Sequence, residues 1–331
     1  MIVLIVPIES LLFVALFFAI IVPSRVELNA TVTTTAETST SITSKPFIYL
    51  TQTEKCLPEH LASSTRIGDS KTCNCDVIVV SYKEECQDEK PLHICYVFSK
   101  ESTWTTGRNL LYFAAIERIR HYHYYIFLDD DVDLGFNSFS SQEMKRLTPF
   151  RAFEKWLLDD EPAVGVGNYK DNGRMLLERR RLMCGINDSS IVVPVVWFDA
   201  LFNAFHHDAI KHILPYPTQY DKDSWWVSPL HVLCSVELIF RGQALEYLAI
   251  TASNPQHRAY PRGKKMFSAR VPAIVEDIQS KAPAAYQNHT LFKTLLKTGH
   301  LKGYCMTTTT YCMNTTHRHP IVPYSHFKDQ R

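Results

Sequence analysis

The apolar positions divide the chain into three unlike parts. Residues Ile2 to Pro23 are apolar apart from Glu9 and Ser10, and Leu11–Val22 holds no polar side chain. About 20 apolar residues can span a bilayer core, whereas roughly 10–14 suit the core of a signal peptide. Two readings follow: a signal-anchor over residues 1–24, or a leader cleaved near Val22/Ser24 or Leu28/Ala30. The run starts at the terminus with no Lys or Arg before it, which favours the anchor. Within residues 25–45, the stretch Thr31–Ser44 is almost entirely Thr and Ser; it cannot build a core and reads as an extended, O-glycosylated stalk.

From residue 46 the pattern changes to short apolar runs alternating with helical periodicity. Residues 46–75 read as a cysteine-bearing lead-in. Asp76–Tyr82 and His93–Ser99 are short β-branched runs that predict strands, and Tyr124–Leu128 predicts a third. Arg108–Arg120 predicts a helix with Leu111, Ala115, Ile116 and Ile119 on one side. Thr148-Pro149 opens another, since Pro is tolerated in a first turn; Phe150, Phe153, Trp156 and Leu157 form its inner stripe. Ala163–Val166 and Ile191–Phe198 predict strands. Asp199 is expected to cap a helix bearing Leu201, Phe202, Phe205, Ala209 and Ile213. A further helix is expected over Ser224–Arg241, and a strand over Ala244–Thr251. This alternation predicts an α/β fold with a mostly parallel sheet flanked by helices over residues 76–262. Residues 263–331 form a C-terminal extension in which the pattern weakens, with a short helix near Thr290–Lys297.

Composition sharpens this picture in two places. Among 331 residues, 35 are Lys or Arg and 34 are Asp or Glu, so the net charge of +1 excludes a nucleic-acid partner gripped through its phosphates. Nine cysteines and the sequons at Asn29, Asn187, Asn288 and Asn314 agree with passage through an oxidising lumen. Disulfides are a better reading than zinc, because Cys73-Asn-Cys75 is not the two-pair spacing that zinc prefers. An odd count leaves one cysteine over, with Cys184 or Cys234 as the candidates.

The segment Tyr125–Asp133 carries the most chemistry. An apolar strand ending in Asp129-Asp130-Asp131 puts carboxylates at the edge of a sheet where open α/β folds bind ligands. Adjacent acids repel one another unless a cation or a capping donor compensates; an oxygen-only cluster suits Mg²⁺ or Mn²⁺, and the alternative is a solvated acidic loop or a helix N-cap. An apolar strand ending in an Asp-x-Asp cluster, in a stalked luminal protein, resembles the GT-A, Rossmann-like fold of nucleotide-sugar-dependent glycosyltransferases. The triple Asp is similar to the form found in some inverting members, including glucuronyltransferases, which also carry an Arg-Asn-Leu element on the preceding helix; Arg108-Asn109-Leu110 matches it. The second half departs from that pattern.

The resemblance implies a type II Golgi or other secretory-pathway membrane protein with Mn²⁺ or Mg²⁺ as cofactor and a nucleotide sugar, of the UDP kind, as donor. The acceptor would be a glycan or glycoprotein hydroxyl. Asp131 would be the principal metal ligand, Asp129 would reach metal and donor, and Asp130 would lie between. Arg108 and Asn109 would meet the nucleotide or diphosphate, and Ser81 and Tyr82 would hold the nucleoside. His257, after the last strand, is a further candidate ligand, with Arg258 beside it on the diphosphate. For the acceptor, Asp223 is the first candidate base and Asp221 the second, beside Trp225 and Trp226, whose faces suit sugar C–H surfaces. Alternatively both Trp residues are core and Asp223 or Ser224 caps a helix. Asp133 would orient the loop. His121–Tyr125 and His206-His207 read as helix-end or surface features, and Arg179–Arg181 as a solvated face. Two other function classes stand beside transfer: a non-catalytic GT-A-like binder of glycan or metal, and a metal-dependent phosphohydrolase. The second is disfavoured by the lack of another dense carboxylate/His cluster.

Overall fold

The computed structural model describes residues 45–89, 91–118, 121–169, 190–195, 197–221, 224–225, 227–240, 243–256 and 267–281. The expected anchor, stalk, four sequons and the helix near Thr290–Lys297 lie outside them. Among the described residues no helix is long and apolar enough to cross a membrane.

Nine strands form one sheet: β1 Phe47–Thr53, β2 Cys75–Ser81, β3 Ile94–Phe98, β4 Tyr124–Asp129, β5 Asp133–Phe136, β6 Val164–Tyr169, β7 Val192–Pro194, β8 Phe202–His206 and β9 Ala244–Ser253. Their order is β3-β2-β1-β4-β8-β6-β9-β5, with β7 also on β9. Strands β3, β2, β1 and β4 are mutually parallel. Beyond β4 the sheet is mixed: β8 runs antiparallel to β4 and β6, and β5 and β7 run antiparallel to β9. The expectation of a mostly parallel sheet is therefore corrected to a mixed one.

Period-two alternation sorts the strands onto two cores. Ile48 and Leu50 of β1, with Tyr125 and Phe127 of β4, face helices α2 (Trp104–Ile116), α4 (His207–Ile213), α5 (Val227–Ile239) and α6 (Phe267–Lys281). Phe47 and Tyr49, with Tyr124, Ile126 and Leu128, face α3 (Pro149–Asp160) and the chain around the short α1 (Ser70–Cys73). The predicted α3 stripe of Phe150, Phe153, Trp156 and Leu157 is buried throughout. Thr148 caps that helix, accepting from the Arg151 N–H, and Pro149 sits in its first turn.

Two segments differ from expectation. The lead-in supplies β1, which lies between β2 and β4 and is buried at six of seven positions. The expected helix after Asp199 begins only at His207; Phe202–His206 is strand β8, buried throughout. A fully buried strand shows no alternation, so its apolar residues fit helical spacing equally well.

Cysteines Cys56 and Cys86 form one disulfide and Cys73 and Cys75 another, the latter folded back by Asn74 at φ 46°. Cys234 is also disulfide-bonded, so it is not the cysteine left over; among the described residues the free one is the exposed Cys95.

A buried carboxyl ties β1 to α3. The Tyr49 hydroxyl donates to Glu154 Oε1 at 2.5 Å, and Arg151 Nη2 lies 2.9 Å from the same oxygen. Burial pushes the Glu154 carboxyl up to about 8, against the opposing guanidinium and hydroxyl. A carboxyl with a raised folded value keeps its proton while the unfolded chain gives one up, so it costs stability as pH rises from about 4.5 to 8, by roughly 1.4 kcal/mol per unit at most. Glu154→Gln stays neutral and still accepts from Tyr49. Urea denaturation between pH 5 and 8 should show the variant gaining on the parent as pH rises; parallel profiles would refute the assignment.

Candidate functional site

Strand order 3-2-1-4 makes the chain reverse its direction of travel between β1 and β4, the point at which open α/β sheets leave a crevice outside their carboxyl ends. A cleft of about 380 Å³ opens there. Gln52, one residue from the end of β1, is paired in register with Asp129, the last residue of β4. Both line the cleft, with Asp130, Asp131, Tyr82, Trp104 and Arg108. The far wall is Asp199 and Leu201 ahead of β8, Tyr169 at the end of β6 and Asn254 just past β9, where the Tyr169 hydroxyl donates to Asn254 Oδ1 at 3.0 Å.

Helix α2 delivers Arg108. It starts at Trp104, four residues earlier than expected, because Thr103 and Thr106 form a reciprocal capping box. Gly107 lets Gln52 lie against the helix: a Cβ there would fall 1.8 Å from Gln52 Nε2, which donates to the Thr103 carbonyl at 3.0 Å. One turn in, Arg108 is 2% exposed. Its Nη2 donates to Asp129 Oδ1 at 2.6 Å, and its guanidinium carbon lies 4.4 Å from the Trp104 ring centroid and 5.5 Å from that of Phe127. Its Nη1 is buried and has no hydrogen-bond partner among the described residues; the same holds for Gln52 Oε1 and Ser102 Oγ of the cleft lining. Buried polar atoms without partners are uncommon, and a cluster of them beside a cleft suits a polar ligand.

The expected site residues divide as follows. Arg108, Asp129, Asp130, Asp131, Tyr82 and Trp225 meet at the cleft. Ser81 is fully buried at the end of β2 behind Tyr82 and is not part of the cleft wall. Asn109 is corrected: its Nδ2 donates to the Tyr216 carbonyl at 2.7 Å and its Oδ1 accepts the Tyr216 N–H at 2.8 Å, so the amide is committed to backbone and holds the chain after the cis Leu214–Pro215 bond. Asp221 Oδ2 accepts from the Thr103 hydroxyl, which anchors the cap of α2, and Asp221 does not line the cleft. Asp133 lies outside it in an ion pair with Arg66 at 2.7 Å. Asp223, Trp226, His257, Arg258 and Arg179–Arg181 lie outside the described residues.

Gln52, Trp104, Asp199 and Asn254 are among the wall residues that went unread as site residues in the sequence. Gln52 sits in the supposed lead-in, although Phe47–Thr53 has the same apolar, β-rich character as Asp76–Tyr82. Trp104 precedes the expected helix start, and the Thr-x-x-Thr spacing around it was the available signal. Asp199 was assigned as a helix cap; its Oδ1 does accept the Leu201 N–H at 2.9 Å, but in the turn leading into β8. Asn254 carried no signal.

The oxygen-rich donor set of Asp129, Asp130, Asp131 and Asp199 fits a hard divalent cation. Among the described residues no three acids of the cleft bring ligand atoms within 4.8 Å of one another.

No family model and no curated protein sequence matches the chain. A solved structure of GalNAc-T7 with UDP, GalNAc and Mn2+ is similar over 71% of this chain and 48% of its own, at 7% identity and a TM-score of 0.38. The chain thus spans about half the length of that protein.

Asn109→Ala should cost about 1–3 kcal/mol, because it strands the N–H and carbonyl of Tyr216. Chemical denaturation of the variant checks this; a loss below about 0.5 kcal/mol would remove the structural role of Asn109.

Proposed function

We propose that the cleft binds a nucleotide sugar, of the UDP kind, and transfers the sugar to a glycan or protein hydroxyl with Mn²⁺ or Mg²⁺ as cofactor. One observation carries the reading: at the sheet's switch point three consecutive acids and a buried arginine face the same crevice. A diphosphate needs both kinds of group, since its oxygens take a fork-shaped cation directly and a divalent ion bridges them to carboxylates. Asp131 and Asp129 would hold that ion, with Asp199 opposite. When bound, the ion offsets charge on the departing diphosphate.

The chain's own residues do the rest. Arg108 is oriented in advance by Asp129, Trp104 and Phe127, so its remaining N–H groups can meet phosphate oxygens without first being ordered. Tyr82 and the end of β2 would hold the nucleoside. Trp225 offers an apolar face to a sugar ring on the acceptor side. Asp223 is the candidate acceptor base, with Asp199 as the alternative already on the cleft wall. The disulfides and the apolar N-terminal run support a membrane-anchored place in the secretory pathway.

Calorimetry of the full chain with UDP, with and without Mn²⁺, tests binding; no heat of binding with Mn²⁺ present would sink the proposal. Asp131→Ala should lower nucleotide-sugar hydrolysis or transfer by at least about 10²-fold. Metal-dependent binding that survives this change, without turnover, would point to a non-catalytic binder instead.

A further inference from the structure

At the opposite end of β4 from the cleft, three histidines converge. In the register of β4 with β8, Tyr124 is paired with His206, and the His207 N–H donates to the His123 carbonyl at 3.1 Å. This pairing fixes His123 beside the His206-His207 step, where β8 turns into α4. Ring centroids lie 4.9 Å apart for His123 and His206, 4.2 Å for His206 and His207, and 5.3 Å for His123 and His207. One ring nitrogen from each can be chosen so that all lie within 4.8 Å of one another.

We propose that His123, His206 and His207 form a second metal site, for a borderline divalent ion of the Zn²⁺ class. Three imidazoles suit Zn²⁺, Cu²⁺, Co²⁺ or Ni²⁺ rather than the hard ions that the cleft's carboxylates favour. Zinc–nitrogen bonds of 2.0–2.1 Å place tetrahedral ligand atoms about 3.3 Å apart, so loading draws the rings in by roughly 1.5 Å at most. The side chains of His123 and His207 are 34% and 42% exposed and have room to rotate, while His206 is the buried fixed point. The exposed side leaves a position for water or another ligand, as three-histidine sites do.

The surroundings favour a cation. Glu161 Oε1 lies 2.9 Å from His123 Nε2, the carboxylate–imidazole contact that orients metal-bound histidines from outside. Asp208 Oδ2 lies 3.5 Å from His207 Nε2 and 3.8 Å from His206 Nδ1. The Lys211 ammonium lies 4.0 Å from Asp208 Oδ1. His206 Nδ1 accepts the Asp208 N–H at 3.2 Å, capping α4; a metal held through Nδ1 would displace this cap, and one held through Nε2 would leave it in place. At about 3.3 Å per residue, the five steps from Tyr124 to Asp129 separate this site from the cleft by roughly 16 Å.

The test uses the full chain, stripped with chelator and titrated with ZnCl₂ in calorimetry and with CoCl₂ in visible absorption. One Zn²⁺ per chain is expected at a Kd of about 1 µM or tighter, with Co²⁺ bands of tetrahedral intensity. His123→Asn with His207→Asn changes exposed rings only and should weaken Zn²⁺ at least about 100-fold and abolish those bands. Glu161→Gln should weaken it about 10-fold, as loss of an outer orienting group does. UDP affinity with Mn²⁺ should be unchanged in the double variant, which separates this site from the cleft. Zn²⁺ binding that is undiminished in the double variant, or weaker than about 100 µM in the parent, would overturn the proposal.

Discussion

The Arg108–Asp129 pair is the interaction on which the arrangement of the cleft depends. Burying an ionised guanidinium costs several kcal/mol, and a near-surface partner at 4 Å returns roughly 4 kcal/mol, so the pair adds little net stability. Flanking rings add about 1 kcal/mol each. Its effect is positional: β4 ends in the acid, and the bond ties the first turn of α2 to that end, beyond the apolar contacts by which Leu111 and Tyr112 of α2 pack with Tyr125 and Phe127 of β4. Gln52 on β1 completes the joint by holding the capping residue Thr103. Pulling Arg108 out would take the first turn of α2 with it, and with that turn one wall of the cleft.

A second tier of polar contacts supports that wall from behind. Thr103 receives the N–H of Thr106 and gives its own hydroxyl to Asp221, while Asn109, one residue beyond Arg108, clasps the backbone of Tyr216. The segment Leu214–Asp221 is thereby strapped to α2 at two points. Asn109 spends both ends of its amide on the Tyr216 backbone, the more frequent fate of side-chain hydrogen bonds, while Asp221 gives Oδ2 to the capping hydroxyl and keeps Oδ1 buried without a hydrogen-bond partner among the described residues.

The parts of this design legible in the sequence were those with strong local patterns. An apolar strand ending in three acids can hardly be anything but the lip of a sheet, and the α3 stripe follows from helical spacing alone. Legibility failed where burial removes periodicity. Phe202–His206 is buried on both faces, Asn203 and His206 included, so polarity does not alternate along it and neither period two nor 3.6 is favoured. Phe47–Thr53 stands beside cysteines that suggested a lead-in, and only its pairing with both β2 and β4 makes it central. Long-range pairings of this kind leave no mark on either segment taken alone, and the same holds for His123, whose two partners are more than 80 positions away.

On the two proposals, the ends of β4 would serve unlike chemistries. Its carboxyl end presents oxygen donors, which hold hard ions loosely and leave most of the coordination shell to phosphate and water. Its amino end presents imidazoles, which bind borderline ions tightly and Mg²⁺ or Mn²⁺ poorly. Between them lie Tyr125, Ile126, Phe127 and Leu128, all buried, so neither site shares ligands or solvent with the other through the strand. A metal at the amino end would pin β8 to β4. Because Asp199–Leu201 leads directly into β8, and the Asp129 N–H donates to the Leu201 carbonyl at 2.9 Å, fixing β8 at one end limits how far Asp199 can move at the other. Stiffness along a short antiparallel pair, rather than any contact with substrate, is what would connect the histidine site to the cleft.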